Sequence, residues 1–583
     1  MAKYTYRPLT APHNIRLLRL EPGSEEMPLQ ATLFHANLDS DLPPAYQAIS
    51  YVWGCDDTPF RLHTPEGALA ISSSLRSALR DLRHETDALV LWADGVCIKQ
   101  DDNDEKNHQV RLMSHIFSSA TSVFAYLGEE TGNSNLALEV MSKIGTVFQR
   151  DRPKGDLAPK MSPIEWQEED FPASGSEELK AVAAICDLPW FRRIWIIQEL
   201  LLAREVQVVC GKGRLNWDYF YGAAWNCHYG ARMRDLQLVL RLGVTRDCHI
   251  QYQAQAFDLL NLLIIFDFSK STLAQDRFYA LLAIANDANN EKYEIDYGCP
   301  LETVIQKYSS VFIANGRLQH LLQFAGMASQ CCHLPSWVPD WSFPDRSPRL
   351  DSMREQFKAG SKTKFKFRVD SNPHVLFLQG FLLDSVISLS TKYDGSSIGT
   401  ERYFQELERM TDTLDRYSSR EELLYRVPVS DVQRSSELEV VMGVYPNNST
   451  LQDSYIALRK LLRQANLDHD RSLEAQKLEE EAEPFRAAAR YFHGINGARG
   501  RFCVTRRGYL GVVPESAQVG DIICIPCGMN VPYLLREIGG MQKVYHLVEQ
   551  VYVHGLMYGE AFEDGVTCKV DGQQIYQQFI ELR

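Results

Sequence analysis

The sequence predicts an α/β fold: a parallel β-sheet with flanking helices, then a mostly helical region and a small C-terminal β module. Three observations support this prediction. Strand-like and helix-like segments alternate over the first 210 residues, residues 88–93 (ALVLWA) form a continuous apolar run, and short strand-like segments separated by glycines occupy residues 502–560. Alternating strands and helices form βαβ units, and a strand buried on both faces of a parallel sheet is apolar throughout.

The elements of this sheet follow in order along the chain. Residues 15–20 (IRLLRL) mix apolar and basic side chains, which favours an edge strand. Residues 72–84 carry Leu75, Leu79 and Leu82 on one helical face. Further strands are predicted at 48–53, 88–93, 122–127 and 205–210, and further helices at 104–118, 135–148 and 190–202.

A chain of 583 residues is expected to form two or three domains. We assign residues 1–214 to the α/β domain, with an insertion at about 151–180 that is rich in Pro, Gly, Ser and acidic residues. Residues 215–375 are expected to be mostly helical. Residues 376–583 are expected to form an α+β region with the β module at about 500–562.

Composition excludes several classes of protein. A net charge of −14 argues against a nucleic-acid-binding or membrane-surface protein. The most apolar stretch, residues 259–268, is too short to span a membrane, and the first residues lack the apolar core of a signal peptide. The thirteen Cys are mostly scattered, and the lone Cys-x-x-Cys at residues 524–527 has no second pair at zinc-finger spacing. We therefore expect a cytoplasmic protein with reduced thiols and no metal site.

The most informative segment is residues 188–200 (LPWFRRIWIIQEL), which resembles a buried helix yet carries a carboxylate. Trp195 and Glu199 are four residues apart, so a helix places them on one face. A charge beside this much apolar surface must be paired, hydrated or used. Glu199 is therefore the first candidate for a functional residue, and a structural salt bridge to a nearby Arg or to Lys99 is the alternative.

Five segments together resemble the fungal heterokaryon-incompatibility (HET) domain in order and spacing. They are residues 46–54 (YQAISYVWG), 91–100 (LWADGVCIKQ), 105–110 (EKNHQV), 120–128 (ATSVFAYLG) and 190–199 (WFRRIWIIQE). The chain departs from the usual pattern at Lys99, where the family has Asn, at Gly95, where it has Ala, and at Lys106, where it has Arg. Residues 276–282, 334–342 and 508–560 resemble segments that often follow this domain.

The resemblance implies a distant relation to TIR domains and a TIR- or flavodoxin-like parallel sheet. Several TIR proteins cleave the nicotinamide–ribose bond of NAD with a Glu in a Trp-Cys-x-x-Glu context, typically after self-association. Trp195 and Glu199 have the same spacing, although Ile196 replaces the Cys. The resemblance therefore implies an NAD-cleaving enzyme of the self/non-self recognition and cell-death type, with Glu199 catalytic, NAD as substrate rather than cofactor, and a homo-oligomeric active form.

Cleavage of this bond passes through a positively charged ribose, which one nearby carboxylate can stabilise. Ligands of α/β sheets bind outside the carboxyl ends of the strands, so we expect a nucleotide-sized hollow there, faced by Glu199. In it Gly54 would admit a phosphate, Trp53 would stack, Asp94 would bind a ribose hydroxyl and Arg193 would neutralise pyrophosphate. The candidates for binding the nucleotide are Ser50, Trp53, Gly54, Asp94, Arg193 and Trp195.

Each candidate also has a structural interpretation. Trp53 is more often a core residue, Asp94 is as often a turn or N-cap residue, and Arg193 is able to pair with surface acids. Two other functions stay open: a non-catalytic TIR-like module that binds a regulatory protein, and a HET-fold enzyme of fungal small-molecule biosynthesis, for which Gly95 and Lys99 leave room.

Overall fold

The computed structural model describes residues 3–40, 44–54, 60–152, 161–231, 233, 236–252, 257–326, 333–342, 357–392, 401–436, 439–442, 449–465, 477–486, 500–539 and 543–583. The chain divides into two compact units, Met1–Pro300 and Leu301–Arg583. This division is coarser than the three segments expected from the sequence, whose boundaries remain predictions.

Within its described residues, the first unit contains nine strands. They are β1 (Asn14–Leu20), β2 (Ala31–Asn37), β3 (Gln47–Tyr51), β4 (Phe60–Thr64), β5 (Gly67–Ile71), β6 (Leu89–Trp92), β7 (Ser122–Gly128), β8 (Val206–Cys210) and β9 (Gly213–Asn216). β4 and β5 form a separate hairpin, and the other seven form one sheet in the order β2-β1-β6-β3-β7-β8-β9. The expected α/β class with a parallel-containing sheet is confirmed.

Helices follow the strands of this sheet. They are α1 (Ser73–Leu82), α2 (Asp94–Cys97), α3 (Asn103–Ser119), α4 (Ser134–Asp151), α5 (Pro163–Glu168), α6 (Glu177–Cys186), α7 (Ile196–Leu201), α8 (Trp217–Tyr229), α9 (Gln237–Tyr252), α10 (Leu259–Ile265) and α11 (Asp276–Leu282). The predicted helices over 72–84, 104–118 and 135–148 correspond to α1, α3 and α4. The leucine face of α1 is buried, as its spacing indicates.

The four middle strands of the sheet are parallel: β3 pairs with β6 and β7, and β7 pairs with β8. Counted along the chain, their spatial order is second, first, third and fourth, which is the order of flavodoxin-like sheets. Ala48 of β3 lies beside Trp92, the last residue of β6, so the two parallel strands point to the same edge of the sheet and β3 continues three residues further. Residues that follow them therefore start close together in space.

The expectation of an edge strand at residues 15–20 is wrong, because β1 lies between β2 and β6. Its basic residue Arg16 is buried rather than solvated. Its guanidinium donates two hydrogen bonds to the Glu105 carboxylate, at 2.5 and 2.9 Å, and one to the carbonyl oxygen of Cys97 at 3.1 Å. A long-range partner thus makes an internal position acceptable for an Arg.

The continuous helix expected over residues 190–202 is also wrong. Pro189–Arg192 is a 3₁₀ turn, Arg193 is extended at φ −77° and ψ 136°, and α7 begins only at Ile196. This break between the 3₁₀ turn and α7 is stabilised by a residue outside the segment. The backbone N–H of Lys270 donates to the carbonyl of Arg192 at 2.5 Å, and the carbonyl of Lys270 accepts the N–H of Ile194 at 3.0 Å. Helical periodicity could not reveal this partner.

The predicted insertion at 151–180 falls partly on residues 153–160, which lie outside the described residues. Its remainder includes α5 and the start of α6. Strands β2, β4, β5 and β9 were not predicted. Each is short or largely polar in sequence, and each forms by antiparallel pairing with a neighbouring strand.

The second unit starts with helices and is rich in strands towards its C-terminus. Its helices are α12 (Leu301–Ala314), α13 (Leu318–Leu322), α14 (Glu401–Asp412), α15 (Arg420–Arg426) and α16 (Ser449–Ala465). Its strands are β10 (Phe367–Val369), β11 (Leu376–Leu389), β12 (Val432–Ser436), β13 (Glu439–Met442), β14 (Gly500–Thr505), β15 (Leu510–Pro514), β16 (Ile522–Pro526), β17 (Tyr533–Ile538), β18 (Val544–Gln550), β19 (Tyr552–Val553), β20 (Lys569–Val570), β21 (Gln573–Gln574) and β22 (Gln578–Leu582).

Strands β16, β17, β18, β22 and β11 form a closed ring, because β11 pairs with both β22 and β16. The far end of β11 continues into β14, β15 and β19. The closed ring therefore includes residues outside the range 500–562 expected for the β module, because closing it requires β11 (376–389) and β22 (578–582). An apolar core including Phe381, Ile523 and Val548 packs between these strands.

Among the described helices, none has both the length and the apolar composition needed to cross a membrane. Within the described residues no three His, Cys, Asp or Glu side chains converge in a metal-binding arrangement.

Candidate functional site

A cavity of about 540 Å³ lies in the first unit, at the carboxyl ends of β3 and β6. This volume falls within the range of small-molecule sites, about 300–1,000 Å³. Its walls combine aromatic, basic and acidic side chains with some aliphatic ones. The lining residues are Val52, Trp53, Gly54, Asp94, Ile98, Gln100, Lys106, Val110, Met113, Arg193, Trp195, Lys270, Ser271, Thr272, Leu273, Asp276 and Tyr297.

The segment after β3 supplies one wall of the cavity. Gly54 has φ +79°, a left-handed conformation that favours glycine, and no atom would lie within 4 Å of an added Cβ. Trp53 is 38% exposed, so it is not the core residue that its type suggests. Its indole Nε1 donates a hydrogen bond to Asp94 Oδ2 at 2.7 Å, which joins the two neighbouring strand ends.

Asp94 opens α2, directly after β6. Its Oδ1 accepts the backbone N–H of Gly95 at 2.7 Å, and the Tyr51 hydroxyl also hydrogen-bonds to its carboxylate. A Cβ at Gly95 would lie 2.5 Å from that hydroxyl, so glycine is needed for this contact. Burial raises the pKa of Asp94, while Arg193 and the hydrogen bonds oppose the shift.

Arg193 occupies the extended break between the 3₁₀ turn and α7. Its guanidinium donates to the backbone carbonyl of Tyr51, which ties the break to the end of β3. Its charge also lowers the pKa of Asp94, Asp276 and Glu199 against the effect of burial. Arg193 is therefore the common cationic neighbour of three carboxyl groups.

Sequence reasoning missed the acidic group on the other part of the wall. Asp276, at the start of α11, is 8% exposed, and its Oδ1 accepts the Tyr297 hydroxyl at 2.7 Å. The Trp195 indole also hydrogen-bonds to it, and burial raises its pKa. Lys106 Nζ lies 5.3 Å from the centre of the Tyr297 ring. Asp276 belongs to the segment 276–282, whose resemblance to a segment that often follows the HET domain does not by itself indicate a role in a site.

Glu199 and Ser50 are not among the residues that line the cavity. Glu199 is 3% exposed, and its carboxylate accepts a hydrogen bond from the Ser50 hydroxyl. Ser50 in turn accepts the indole N–H of Trp190 at 2.9 Å. The expectation that Glu199 faces the hollow therefore fails, because β3 and the 3₁₀ turn cover the helical turn that follows Trp195.

The alternative, a structural salt bridge, is not found either. Among the described residues no Lys or Arg nitrogen lies within ion-pair distance of Glu199, and Lys99 pairs instead with Asp102 at 3.1 Å. Burial raises the pKa of Glu199 to about 7, and Arg193 and Ser50 oppose the shift. Glu199 thus changes its charge near neutral pH, which is the property expected of a proton-exchanging or switching group.

The structure therefore brings five of the seven predicted residues to one cavity and leaves two behind its wall. The five are Trp53, Gly54, Asp94, Arg193 and Trp195, and the two are Ser50 and Glu199. The chemical roles assigned to all seven remain predictions. Lys99 does not line the cavity, so the departure at this position does not place a cation in it.

Two family models match this chain. Residues 46–199 match the family described as heterokaryon incompatibility protein (HET), and residues 402–565 match the Het-6 β-barrel domain. The chain contains a HET domain. It extends from just before β3 to Glu199, so it includes the seven residues predicted from the sequence. Asp276 and Tyr297 lie outside it.

The resemblance extends beyond the HET domain. Heterokaryon incompatibility protein 6, OR allele, of Neurospora crassa is 24% identical over 655 aligned positions, which cover 94% of each chain. The Het-6 β-barrel match includes β16, β17 and β18 of the closed ring but not β11 or β22. No solved structure is significantly similar to this chain.

Proposed function

We propose that this chain acts in fungal self/non-self recognition of the heterokaryon-incompatibility type, and that its HET domain binds a nucleotide-like small molecule. The HET match and the name of the Neurospora relative support the biological role. The observation that carries the ligand proposal is the cavity at the ends of β3 and β6, where basic side chains, carboxylates and aromatic rings converge. We place the protein in the cytoplasm.

The side chains around the cavity complement the parts of a nucleotide. Arg193, Lys106 and Lys270 are cations suited to phosphate groups. Trp53 and Trp195 offer aromatic surfaces on which a base stacks. Asp94, held by Trp53 and Gly95, retains acceptor capacity for a ribose hydroxyl.

The finer proposal is cleavage of NAD, with TIR-like chemistry and self-association. The bond from ribose C1′ to the nicotinamide nitrogen breaks as a water oxygen bonds to C1′, and the water proton passes to solvent. Glu199 stabilises the charged ribose once its carboxylate is ionised and uncovered. Because the carboxylate is covered by Ser50 and Trp190 here, this step requires a rearrangement, which we assign to assembly of a homo-oligomer.

Release of nicotinamide from NAD by concentrated full-length protein tests this proposal. We expect Glu199→Gln to lose activity at least a hundredfold while it still binds NAD. Asp101→Gln serves as a control, because Asp101 is an exposed acid outside the cavity. Full activity of Glu199→Gln, or no release by assembled wild type, would remove the enzymatic part of the proposal.

A non-catalytic module that binds a regulatory protein is the second candidate. The observation that favours it is the satisfied, covered carboxyl of Glu199, which resembles a structural hydrogen bond more than an accessible active-site group. In this case Glu199→Gln keeps full incompatibility activity in cells, and substitutions in the cavity have no effect. Small-molecule biosynthesis stays a prediction, and Lys99, one of the two residues that leave room for it, does not line the cavity.

A further inference from the structure

Part of the cavity wall is supplied by residues that the HET match does not cover. Residues 270–273, Asp276 and Tyr297 line the cavity, whereas the HET match ends at Glu199. They follow the HET domain by more than 70 positions and belong to the same compact unit. The cavity is therefore composite: the sheet of the HET domain forms one part, and the segment 270–297 forms the other.

This second part of the wall is fixed to the first. Backbone hydrogen bonds join Lys270 to Arg192 at 2.5 Å and to Ile194 at 3.0 Å, beside the break that carries Arg193. The buried guanidinium of Arg277 donates to the backbone carbonyls of Ser269 and, at 2.6 Å, Asp267. These contacts hold the segment 267–270 in place, so its position is part of the folded unit.

Asp276 is the one carboxylate on this part of the wall, within the described residues. The Tyr297 hydroxyl and the Trp195 indole donate to it and fix its orientation. An ionised carboxylate offers about four acceptor positions, so two remain. Because Asp276 is nearly buried and lines the cavity, the group that uses these positions has to come from the cavity side.

We propose that the segment 270–297 determines which ligand the HET cavity binds, with Asp276 accepting a hydrogen bond from an amine or hydroxyl group of that ligand. This inference rests on the proposed nucleotide binding and adds to it. The HET domain contributes Asp94, Arg193 and the aromatic surfaces, and the following segment contributes the discriminating acceptor. A site whose acceptor takes a hydrogen bond from the ligand rejects ligand analogues that lack the donor, because the buried acceptor is then left unpaired.

The test measures binding of three probes, NAD, ADP-ribose and ATP, to the full-length chain by calorimetry. We expect Asp276→Asn to weaken binding of the tightest-binding probe about tenfold to a hundredfold, and to reduce the differences in affinity among the three probes. Tyr297→Phe removes one donor that orients Asp276, so it should shift selectivity in the same direction by a smaller factor. Because Tyr297→Phe keeps the aromatic ring, this variant still tests the inference if Asp276→Asn does not fold.

Glu291→Gln is the matched control, since Glu291 is exposed, lies on the same segment and does not line this cavity. It should leave all three dissociation constants unchanged. If wild type binds none of the probes, the proposed function fails. If wild type binds but both variants keep its affinities, or lose affinity equally for all probes, the inference fails while binding by the cavity stands.

Discussion

The two units of this chain use charged side chains in different ways. In the first unit Asp94, Arg193 and Asp276 surround a cavity, and each retains a face towards it. In the second unit Asp431 and Asp521 are enclosed by partners. Asp431 accepts from Arg426 at 2.5 Å and from the Tyr552 hydroxyl at 2.7 Å, and Asp521 accepts two hydrogen bonds of 2.8 Å from Arg536.

The difference follows from the architecture of each unit. The carboxyl ends of parallel strands open into loops that lead to the next helix, which leaves room for a ligand. A small closed ring of strands has an interior filled by side chains. The charged groups around the cavity of the first unit are therefore candidates for binding, whereas Asp431 and Asp521 of the second unit are candidates for stability. Four experiments test this contrast.

The largest effect is expected in the second unit. Asp431→Ala leaves the Arg426 guanidinium and the Tyr552 hydroxyl without their shared acceptor, and breaking a buried pair in this way costs about 3–5 kcal/mol. The free energy of unfolding in urea measures the loss. Asp415→Ala, at a fully exposed position, should change nothing. A loss below about 1 kcal/mol for Asp431→Ala would contradict a structural role for this network.

The next effect is a pH dependence due to Glu199. Its pKa is about 7 in the folded chain and 4.5 ordinarily, so the folded state holds the proton more tightly. Its contribution to stability is complete below pH 4.5 and is lost as pH rises to about 7, a change of about 3 kcal/mol. Glu199→Gln keeps a hydrogen-bonding group but does not titrate.

Denaturation of wild type and Glu199→Gln between pH 4.5 and 7.5 measures this contribution, because the other titrating groups are common to both. The stability difference should move in favour of the Gln variant as the pH rises. If the curves of stability against pH are parallel for the two proteins, Glu199 is ionised throughout this range and is therefore more open to solvent or cations than its burial indicates.

A smaller effect is expected at the cavity. Asp94→Asn should weaken NAD or ADP-ribose binding about tenfold to a hundredfold, because a charged acceptor becomes a neutral amide. Stability should fall by about 1–2 kcal/mol, since Asn has one oxygen where Asp94 uses two, for the indole of Trp53 and for the backbone N–H of Gly95. Calorimetric titration and a thermal melt separate the two quantities. A large drop in stability with unchanged affinity would show that Asp94 has a structural role rather than a binding role.

The smallest effect is expected for Lys99→Asn, which restores the usual residue of the HET family. Lys99 forms only an exposed pair with Asp102 and does not line the cavity. Affinity for the same probes and the melting temperature should both stay unchanged. A clear change in affinity would show that Lys99 reaches the ligand after all.

The sequence by itself determined the α/β class, the main helices and parallel strands of the first unit, and the resemblance to the HET domain. These features depend on local periodicity and on short motifs such as residues 46–54 and 91–100, which a single chain displays directly. The same motifs placed Trp53, Gly54 and Asp94 after the ends of two strands, so their convergence at one cavity could be anticipated from strand topology alone.

Only the tertiary structure decided which way Glu199 faces and what completes the cavity. Lys270 interrupts the expected helix by backbone pairing from more than 70 residues away, and Ser50 and Trp190 cover Glu199. Asp276 and Tyr297 reach the cavity through the same long-range packing. Such contacts join segments that are remote in sequence, so no local pattern of residues encodes them.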